Sequence, residues 1–319
     1  MTQGSVTQAG DVGPSKEAGA TPAYARGVSP GRPDVTERVL AEPDGLLATP
    51  GRRCGTGVLV IAGSSGRIDT ERVRLLARHG AVALSIRWFG GDGQQPRPCE
   101  VPLEAFGAAL DLLAPQCDRL AVVGLSFGAE AALLTAAHDA RVDVVVGFAP
   151  SSVVWAGVDP GAGTGRGGAS PRQASHWTLD GLPLPYVPLV EDWTPRTDPP
   201  AHLGHYEQSL AADPSAAAAA AIPVERIGGE VVLVAGEDDQ VWPSAHFTRA
   251  IVRRRAEHGL ATRVVTHPHA GHRTILPGEP PVTVGAHLAR GGTVQADAEL
   301  GARAWPVLVE VLRLHEHPT

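Results

Sequence analysis

The amino-acid sequence predicts an α/β fold with a doubly wound, mostly parallel sheet. Two patterns indicate this fold class. Short runs rich in β-branched residues are apolar throughout, as expected of strands that are buried on both faces of a parallel sheet. Segments with a 3.6-residue apolar repeat alternate with these runs, which gives the β-α-β order of a sheet with helices on both sides.

The predicted elements begin at residue 56. The candidate strands are residues 56–62, 81–86, 119–124, 143–149, 230–236 and 262–267. The candidate helices are residues 69–79, 101–114, 126–139, 244–258 and 298–315. The regular order breaks once, after Pro150, so we expect a cap or insertion between the strand near 143–149 and the strand near 230–236.

The chain is expected to form one catalytic domain over residues 34–319, preceded by a tail. Residues 1–33 are rich in Gly, Pro, Ser and Thr and contain few large apolar side chains. Such a segment cannot bury enough apolar surface to offset the entropy lost on ordering. The sequence therefore predicts that residues 1–33 are disordered.

The expected insertion, at about 151–228, has two parts of different composition. Its Gly-rich part, residues 156–170, is predicted to be a mobile loop. We interpret the second part as a cap over the active site; the alternative is a surface insertion with no role there. It contains the alanine run Ala216–Ala221 and four aromatic residues that suit an apolar substrate: Trp177, Tyr186, Trp193 and Tyr206.

The composition argues against several classes of function. With 27 basic and 34 acidic residues the formal net charge is −7, and no local basic tract is present, so no nucleic-acid partner is expected. No apolar run reaches the roughly 18 residues that a membrane span requires, so no membrane partner is expected. Cys54, Cys99 and Cys117 lack disulfide or zinc spacing, and the N-terminus lacks an apolar signal segment, which predicts a cytoplasmic location.

The segment Gly124-Leu125-Ser126-Phe127-Gly128 joins a predicted strand to a predicted helix. In this context a G-x-S-x-G sequence is typical of the nucleophile elbow of the α/β-hydrolase fold. Glycines are needed there because the turn is tight and neighbouring backbone passes close to it. Ser126 is therefore the predicted nucleophile, with a plain helix cap as the alternative.

A serine nucleophile requires an imidazole to accept its proton and a carboxylate to orient that imidazole. Asp239 is the predicted acid, because it follows strand 230–236 with the D-x-x-W-P spacing that is usual for the acid loop of this fold. Asp238 and Glu237 are the alternatives. In parallel sheets such loops lie at the carboxyl ends of the strands, where active sites form.

His272 is the predicted general base. It follows strand 262–267 and comes directly after a glycine, whereas the nearby His267 and His269 lie at the strand end and before the loop. We expect those two histidines to be structural or to lie at the rim of the site.

The oxyanion formed by attack on a carbonyl needs at least two hydrogen-bond donors. In this fold they are the amide of the residue after the nucleophile and an amide from the loop after the first central strand. Here these are Phe127 and the loop of residues 63–66, in which Ser64 is the first choice and Ser65 a close alternative.

No metal or cofactor is expected. The sequence contains no H-E-x-x-H motif, no Walker loop and no G-x-G-x-x-G after the first strand. Arg253, Arg254 and Arg255 could hold the phosphates of an acyl carrier, but consecutive residues point around a helix, so a solvated surface is the favoured interpretation.

Several segments together resemble one family. They are GLSFGAE at 124–130, IPVERIGGEVVLVAGEDDQVWPS at 222–244, AGHRTILP at 270–277 and GGTVQADAELGARAW at 291–305, with further similarity at 72–89 and 101–113. The sequence resembles the C-terminal catalytic domain shared by acyl-CoA thioesterases and bile acid-CoA:amino acid N-acyltransferases. The resemblance implies an α/β-hydrolase with Ser126, Asp239 and His272 as triad.

The resemblance implies an acyl thioester as substrate, carried by coenzyme A or by the arm of a carrier protein. A serine nucleophile favours hydrolysis. The alternatives are acyl transfer to an amine or alcohol, an esterase similar to dienelactone hydrolase, and a binding module without catalytic activity.

Overall fold

The computed structural model describes residues 34–158, 173–281 and 286–316. Two of the sequence predictions, the disordered tail 1–33 and most of the mobile loop 156–170, therefore lie outside the described residues. The strands within these ranges, numbered along the chain, are β1 (Val35–Ala41), β2 (Asp44–Pro50), β3 (Thr56–Ile61), β4 (Val82–Ile86), β5 (Val101–Pro102), β6 (Arg119–Leu125), β7 (Val142–Phe148), β8 (Ala156–Val158), β9 (Gln173–Ser175), β10 (Trp177–Leu179), β11 (Leu182–Pro183), β12 (Glu230–Gly236) and β13 (Arg263–His267).

Eight of these strands form the central sheet, in the spatial order β1-β2-β4-β3-β6-β7-β12-β13. The six strands from β4 to β13 are mutually parallel, whereas β1 and β2 form an antiparallel hairpin that pairs with β4. In β3 and β4 every residue is buried. This explains why their sequences are apolar throughout rather than alternating.

The connections of the sheet reverse direction between β3 and β6, which are neighbours. From β3 the chain continues outward to β4 on one side, and from β6 it continues to β7 on the other side. Open α/β sheets bind their ligands at the carboxyl ends of strands flanking such a switch point. The loop at 63–66 and Ser126 follow these two strand ends directly.

The described ranges contain seven helices: α1 (Thr70–Arg78), α2 (Glu104–Leu113), α3 (Phe127–His138), α4 (Leu203–Ala212), α5 (Pro214–Ala219), α6 (Ser244–Glu257) and α7 (Val294–Val311). Short 3-10 turns occupy Ala114–Gln116 and Val224–Arg226. Residues from α1 and α7 pack in one hydrophobic cluster, and residues from α2, α3 and α6 pack in another. The two clusters lie on opposite faces of the sheet, as in a doubly wound fold.

The insertion between β7 and β12 contains small elements instead of a regular β-α unit. Strands β8 and β9 form an antiparallel pair, and β10 forms a three-stranded sheet with β5 and β11. Helices α4 and α5 follow before the chain enters β12. Trp155 and Trp177 are fully buried, so the insertion packs into the main core rather than resting on the surface.

The predicted fold class is confirmed, and most predicted elements match the observed ones within a few residues. Strands β1 and β2 were not predicted. In β1 only Leu40 is buried, because β1 is the edge strand of the sheet, and its sequence therefore lacks an apolar strand pattern. Strand β2 is mostly buried but has only two large apolar residues, Leu46 and Leu47. Helix α7 begins at Val294 rather than at 298, because the Thr293 side chain accepts a hydrogen bond from the amide of Ala296.

The interpretation of residues 253–255 as a solvated surface is wrong for one of the three. Arg255 is buried, and its guanidinium donates to the carbonyl oxygens of Val224 and Ile227. Arg254 forms an ion pair with Glu225, and only Arg253 is exposed. Over the described ranges, no helix is both long enough and apolar enough to cross a membrane.

Candidate active site

The turn between β6 and α3 holds Ser126 in a strained conformation. Its φ is +59°, in the left-handed region that only glycine adopts at no cost. A Cβ on Gly124 would lie 2.0 Å from the carbonyl oxygen of Gly128, and a Cβ on Gly128 would lie 2.2 Å from that of Ile61. Both glycines of the motif are therefore required by close backbone contacts, and the turn projects Ser126 at the helix N-terminus.

His272 lies within hydrogen-bonding distance of both Ser126 and Asp239. The His272 Nε2 is 2.9 Å from the Ser126 Oγ, and the His272 Nδ1 is 2.8 Å from the Asp239 Oδ2. The three side chains are almost buried, with 8% of Ser126, 8% of His272 and 3% of Asp239 exposed. In this arrangement the imidazole can accept the hydroxyl proton while the carboxylate holds its tautomer.

The acid loop separates the roles of the two adjacent aspartates. The Oδ1 of Asp239 accepts hydrogen bonds from the amides of Val241 and Trp242, which leaves the Oδ2 directed at His272. The carboxylate of Asp238 instead accepts from the Gly292 amide and from the Gln240 side chain. Of the two aspartates, only Asp239 contacts the imidazole. Asp238 instead links the acid loop by a hydrogen bond to the segment that precedes α7.

The position of His272 is fixed by its backbone. Its amide donates to the carbonyl oxygen of Arg290, and the preceding Gly271 amide donates to the Asp297 carboxylate. The two other histidines of this region lie elsewhere: His267 is buried and bonded to Glu299, and His269 is exposed.

The predicted oxyanion donors lie on two sides of Ser126. Phe127 is the first residue of α3, where backbone amides have no acceptor within the helix. Ser64 and Ser65 are exposed in the turn that the Gly66 amide closes by donating to the Gly63 carbonyl. A Cβ on Gly63 would lie 3.1 Å from the Cβ of Ser126, so this turn passes beside the serine.

A cavity of about 650 Å³ opens beside Ser126 and His272, large enough for a small-molecule substrate. Tyr206 and His202, at the start of α4, line one side together with the buried ring of Trp242. Burial raises the pKa of Tyr206, and the nearby carboxylates of Glu130 and Asp239 raise it further, so this phenol stays neutral. The insertion therefore contributes one wall of the cavity.

Of the four aromatic residues predicted to bind substrate, only Tyr206 lines the cavity. Trp177 is completely buried and belongs to the core. The hydroxyl of Tyr186 donates to the Gln173 carbonyl oxygen, and Trp193 stacks on the ring of His205 at 4.5 Å. These three side chains therefore pack within the insertion or against the core instead of lining the cavity.

A buried carboxylate on α3 connects the nucleophile turn to the insertion. Glu130 is fully buried, and its Oε1 accepts from the Trp177 indole at 2.7 Å and from the Trp155 amide at 3.2 Å. His176 lies 3.6 Å from the same oxygen and packs edge-on against Phe127 at a ring-centroid distance of 4.2 Å. Sequence reasoning missed this link, although Glu130 stands among the alanine and leucine residues of α3.

Sequence reasoning also missed the positive charge that lines the cavity. Arg67, Arg273 and Arg290 all line the cavity, although they are far apart in the sequence. Burial lowers the pKa of Arg273 to about 10, and the charges of Arg290 and Arg67 contribute to this change, which Asp297 opposes. The charges of Arg67 and Arg290 are therefore close enough to act on the Arg273 guanidinium, which remains protonated at neutral pH. In the part of the chain that the structure describes, no group of three or more His, Cys, Asp or Glu is arranged to hold a metal ion.

The sheet topology, the strained serine turn and the geometry of Ser126, His272 and Asp239 are those of an α/β-hydrolase fold. Comparisons with known proteins agree. Residues 101–317 match the family model described as BAAT / Acyl-CoA thioester hydrolase C terminal. The chain belongs to this family.

Curated relatives come from both branches of the family. The chain is 24% identical over 274 residues to acyl-coenzyme A thioesterase 6 of Mus musculus, covering 82% of the chain and 60% of the relative. It is 24% identical over 290 residues to acyl-coenzyme A amino acid N-acyltransferase 2 of Mus musculus, covering 85% of the chain and 62% of the relative. The chain thus spans about three fifths of the length of these relatives.

Among solved structures, the fold is similar to that of the dienelactone hydrolase-like promiscuous phosphotriesterase P91 from metagenomic libraries. The TM-score is 0.52 at 18% identity, and the match covers 89% of this chain and 98% of the other. At this identity the similarity concerns the fold alone.

Proposed function

We propose that the chain is a thioesterase that hydrolyses an acyl thioester through an acyl-serine intermediate. The observation that carries the proposal is the pair of contacts that His272 makes, 2.9 Å to the Ser126 Oγ and 2.8 Å to Asp239. The thioester is suggested by membership of a family whose description contains acyl-CoA thioester hydrolases.

In the first half of the reaction, the Oγ of Ser126 attacks the thioester carbonyl while the His272 Nε2 takes the hydroxyl proton. The oxyanion is stabilised by the Phe127 amide and by an amide of the turn that contains Ser64 and Ser65. The carbon–sulfur bond then breaks, and the imidazolium returns its proton to the departing thiolate. Asp239 stabilises the imidazolium throughout.

In the second half, water occupies the position that the thiol has left. His272 takes a proton from this water as its oxygen bonds to the acyl carbon. The bond between that carbon and the Ser126 Oγ breaks, the serine recovers its proton from the imidazolium, and the carboxylic acid leaves. Each step uses groups that surround the cavity, so no cofactor is required.

Acyl transfer to an amine is the second candidate, because one of the relatives is named an amino acid N-acyltransferase. An amine must be bound close to the acyl carbon to compete with water, which is present at much higher concentration. The carrier of the acyl group is coenzyme A or a carrier-protein arm, since both present the same thioester.

Thiol release and product analysis separate these functions. Purified protein is supplied with a panel of acyl-CoA substrates and with the matching oxygen esters, with and without millimolar glycine or taurine, and free acid and amide are quantified by mass spectrometry. We expect thiol release with free acid as the main product. Amide as the main product would identify an acyltransferase, and turnover of oxygen esters alone would identify an esterase.

A further inference from the structure

The insertion reaches the nucleophile turn through one buried imidazole. His176 lies between β9 and β10 and is 2% exposed. Its ring packs edge-on against the ring of Phe127, the residue that follows Ser126, at a centroid distance of 4.2 Å. Because Phe127 is also the expected oxyanion donor, a side chain of the insertion contacts the residue whose amide must face the reacting carbonyl.

The ring contacts continue from Phe127 to the general base. The Phe127 ring lies edge-on to the ring of Trp242 at a centroid distance of 5.3 Å. Trp242 in turn lies edge-on to the ring of His272 at 5.8 Å. Trp242 is fully buried, and its indole donates to the Ala149 carbonyl oxygen. The four rings therefore form a continuous row from the insertion to the imidazole next to Ser126.

The end of this row that lies in the insertion is held in place by backbone and by α3. The His176 amide donates to the Trp155 carbonyl oxygen, and the His176 carbonyl oxygen accepts from the Val101 amide. The His176 Nδ1 is 3.6 Å from the Glu130 Oε1. That oxygen already accepts hydrogen bonds from the Trp177 indole and the Trp155 amide. His176 is thus fixed by contacts that do not involve the cavity.

The His176 side chain acts on its surroundings as a ring rather than as a hydrogen-bonding group. A separation of 3.6 Å from the Glu130 oxygen is longer than a hydrogen bond. Within the described residues, its Nδ1 has no hydrogen-bond partner. Packing between aromatic rings therefore carries the contact with Phe127, and another aromatic ring at position 176 can replace the imidazole.

Phe127 depends on this packing because its other side is open. The residue is partly exposed and lines the cavity. In the ranges that the structure describes, its contacts with other aromatic rings are those with His176 and Trp242. The preceding Ser126 has a φ of +59°, a strained conformation that persists only where the surrounding structure enforces it. Loss of the ring at 176 would give the first turn of α3 room to move.

We propose that His176 is a positioning residue of the active site, whose ring braces Phe127 and so holds the Phe127 amide in the oxyanion hole. The inference rests on the proposed acyl-serine mechanism and adds to it a residue of the insertion. His176 is not among the residues that line the cavity. Removing its ring should therefore slow the chemical step and leave substrate binding unchanged.

The test measures the rate at which a fluorophosphonate reacts with Ser126, a reaction that uses the oxyanion hole but needs no thioester. The Ser126 Oγ bonds to phosphorus, fluoride leaves, and the hydroxyl proton passes to His272. His176→Leu, which removes the ring, should react about 10- to 100-fold more slowly than the wild type, as expected for a displaced oxyanion donor. His176→Phe, which keeps a ring, should react at close to the wild-type rate.

Phe106→Leu is the matched control for lost packing. Phe106 is fully buried in the same core cluster and packs edge-on against Trp177 at 5.9 Å, but its ring does not contact Phe127. This variant should react at close to the wild-type rate. Thermal unfolding checks that each variant folds, and His176→Asn, which also lacks the ring, replaces His176→Leu if that variant does not fold.

The same variants are then measured with an acyl-CoA that the wild type hydrolyses. In His176→Leu, kcat should fall by the same factor as the labelling rate, with KM unchanged. Equal slowing of His176→Leu and Phe106→Leu would overturn the proposal, because it would reduce His176 to a packing residue. A raised KM with unchanged kcat would also overturn it and assign His176 to substrate binding. A slow His176→Phe variant would show that the ring alone is not what positions Phe127.

Failure of the proposed function is distinguishable from failure of this inference. If the wild type reacts with the fluorophosphonate but releases no thiol from any acyl thioester, the thioesterase function has failed. The labelling rates of the His176 variants then still decide whether His176 positions Phe127. A wild-type protein that does not react with the fluorophosphonate would contradict the acyl-serine mechanism and the inference together.

Discussion

Asp239 and His272 share a carboxylate–imidazole contact of 2.8 Å, although 33 positions separate them in the sequence. The second oxygen of Asp239 is occupied by the amides of Val241 and Trp242, so the carboxylate cannot rotate without breaking those bonds. The orientation of the imidazole toward Ser126 is therefore set by the acid loop after β12.

This relationship predicts different effects for the two adjacent aspartates. Asp239→Asn should lower kcat/KM by about 10³- to 10⁴-fold. An amide stabilises the wrong tautomer of the neutral imidazole, and it does not stabilise the imidazolium that forms during the reaction. Asp238→Asn retains one acceptor oxygen for the Gly292 amide and should cost less than about tenfold. Thiol-release kinetics on the two variants measure this ratio. A greater loss in Asp238→Asn would transfer the orienting role to Asp238.

The buried carboxylate of Glu130 predicts a loss of stability on truncation. Glu130→Ala removes the acceptor of the Trp177 indole and of the Trp155 amide and leaves a cavity, so the free energy of unfolding should fall by about 3 kcal/mol or more. Glu257→Ala, on the exposed side of α6, should change it by less than about 0.5 kcal/mol. Urea denaturation compares the two, and equal effects would mean that Glu130 does not hold the insertion to α3.

The close contacts of the nucleophile turn predict opposite effects for two glycine substitutions. Gly128→Ala should lower the free energy of unfolding by about 1–3 kcal/mol or more, because its Cβ would lie 2.2 Å from the carbonyl oxygen of Ile61. Gly107→Ala in α2 meets no atom within 4 Å and should raise it by about 0.5–1 kcal/mol. Equilibrium unfolding in urea measures the change in the free energy of unfolding for both variants. A stable, fully active Gly128→Ala variant would contradict the packing described for this turn.

The sequence was sufficient to predict the parts of the fold that depend on local pattern. Strand β3 and the part of β12 after Glu230 lack charged residues because both faces are buried, and the glycines at 124 and 128 are required by backbone contacts. The predicted groups Ser126, Asp239 and His272 could be found because each follows a strand at its carboxyl end, and the structure brings them together.

Features that depend on long-range contacts could not be predicted. Arg67, Arg273 and Arg290 are unremarkable arginines in the sequence, and only the folded chain brings them to one cavity. Trp177 was expected at the substrate because aromatic residues of an insertion serve either for packing or for binding. It is completely buried in the core, and its indole donates to the Glu130 carboxylate, 47 positions away in the sequence. A contact between residues so far apart, such as that of Trp177 with Glu130, leaves no periodic pattern in the sequence.

Ser126 is proposed to form the acyl-enzyme, and the rate of thiol release by Ser126→Ala relative to the wild type tests this most directly. With an acyl-CoA that the wild type hydrolyses, kcat/KM should fall by about 10³-fold or more, because the three groups act as a unit and the oxyanion donors alone give a small residual rate. Thermal unfolding should show that the variant remains folded. A variant that keeps a tenth of the wild-type rate would show that Ser126 is not the nucleophile.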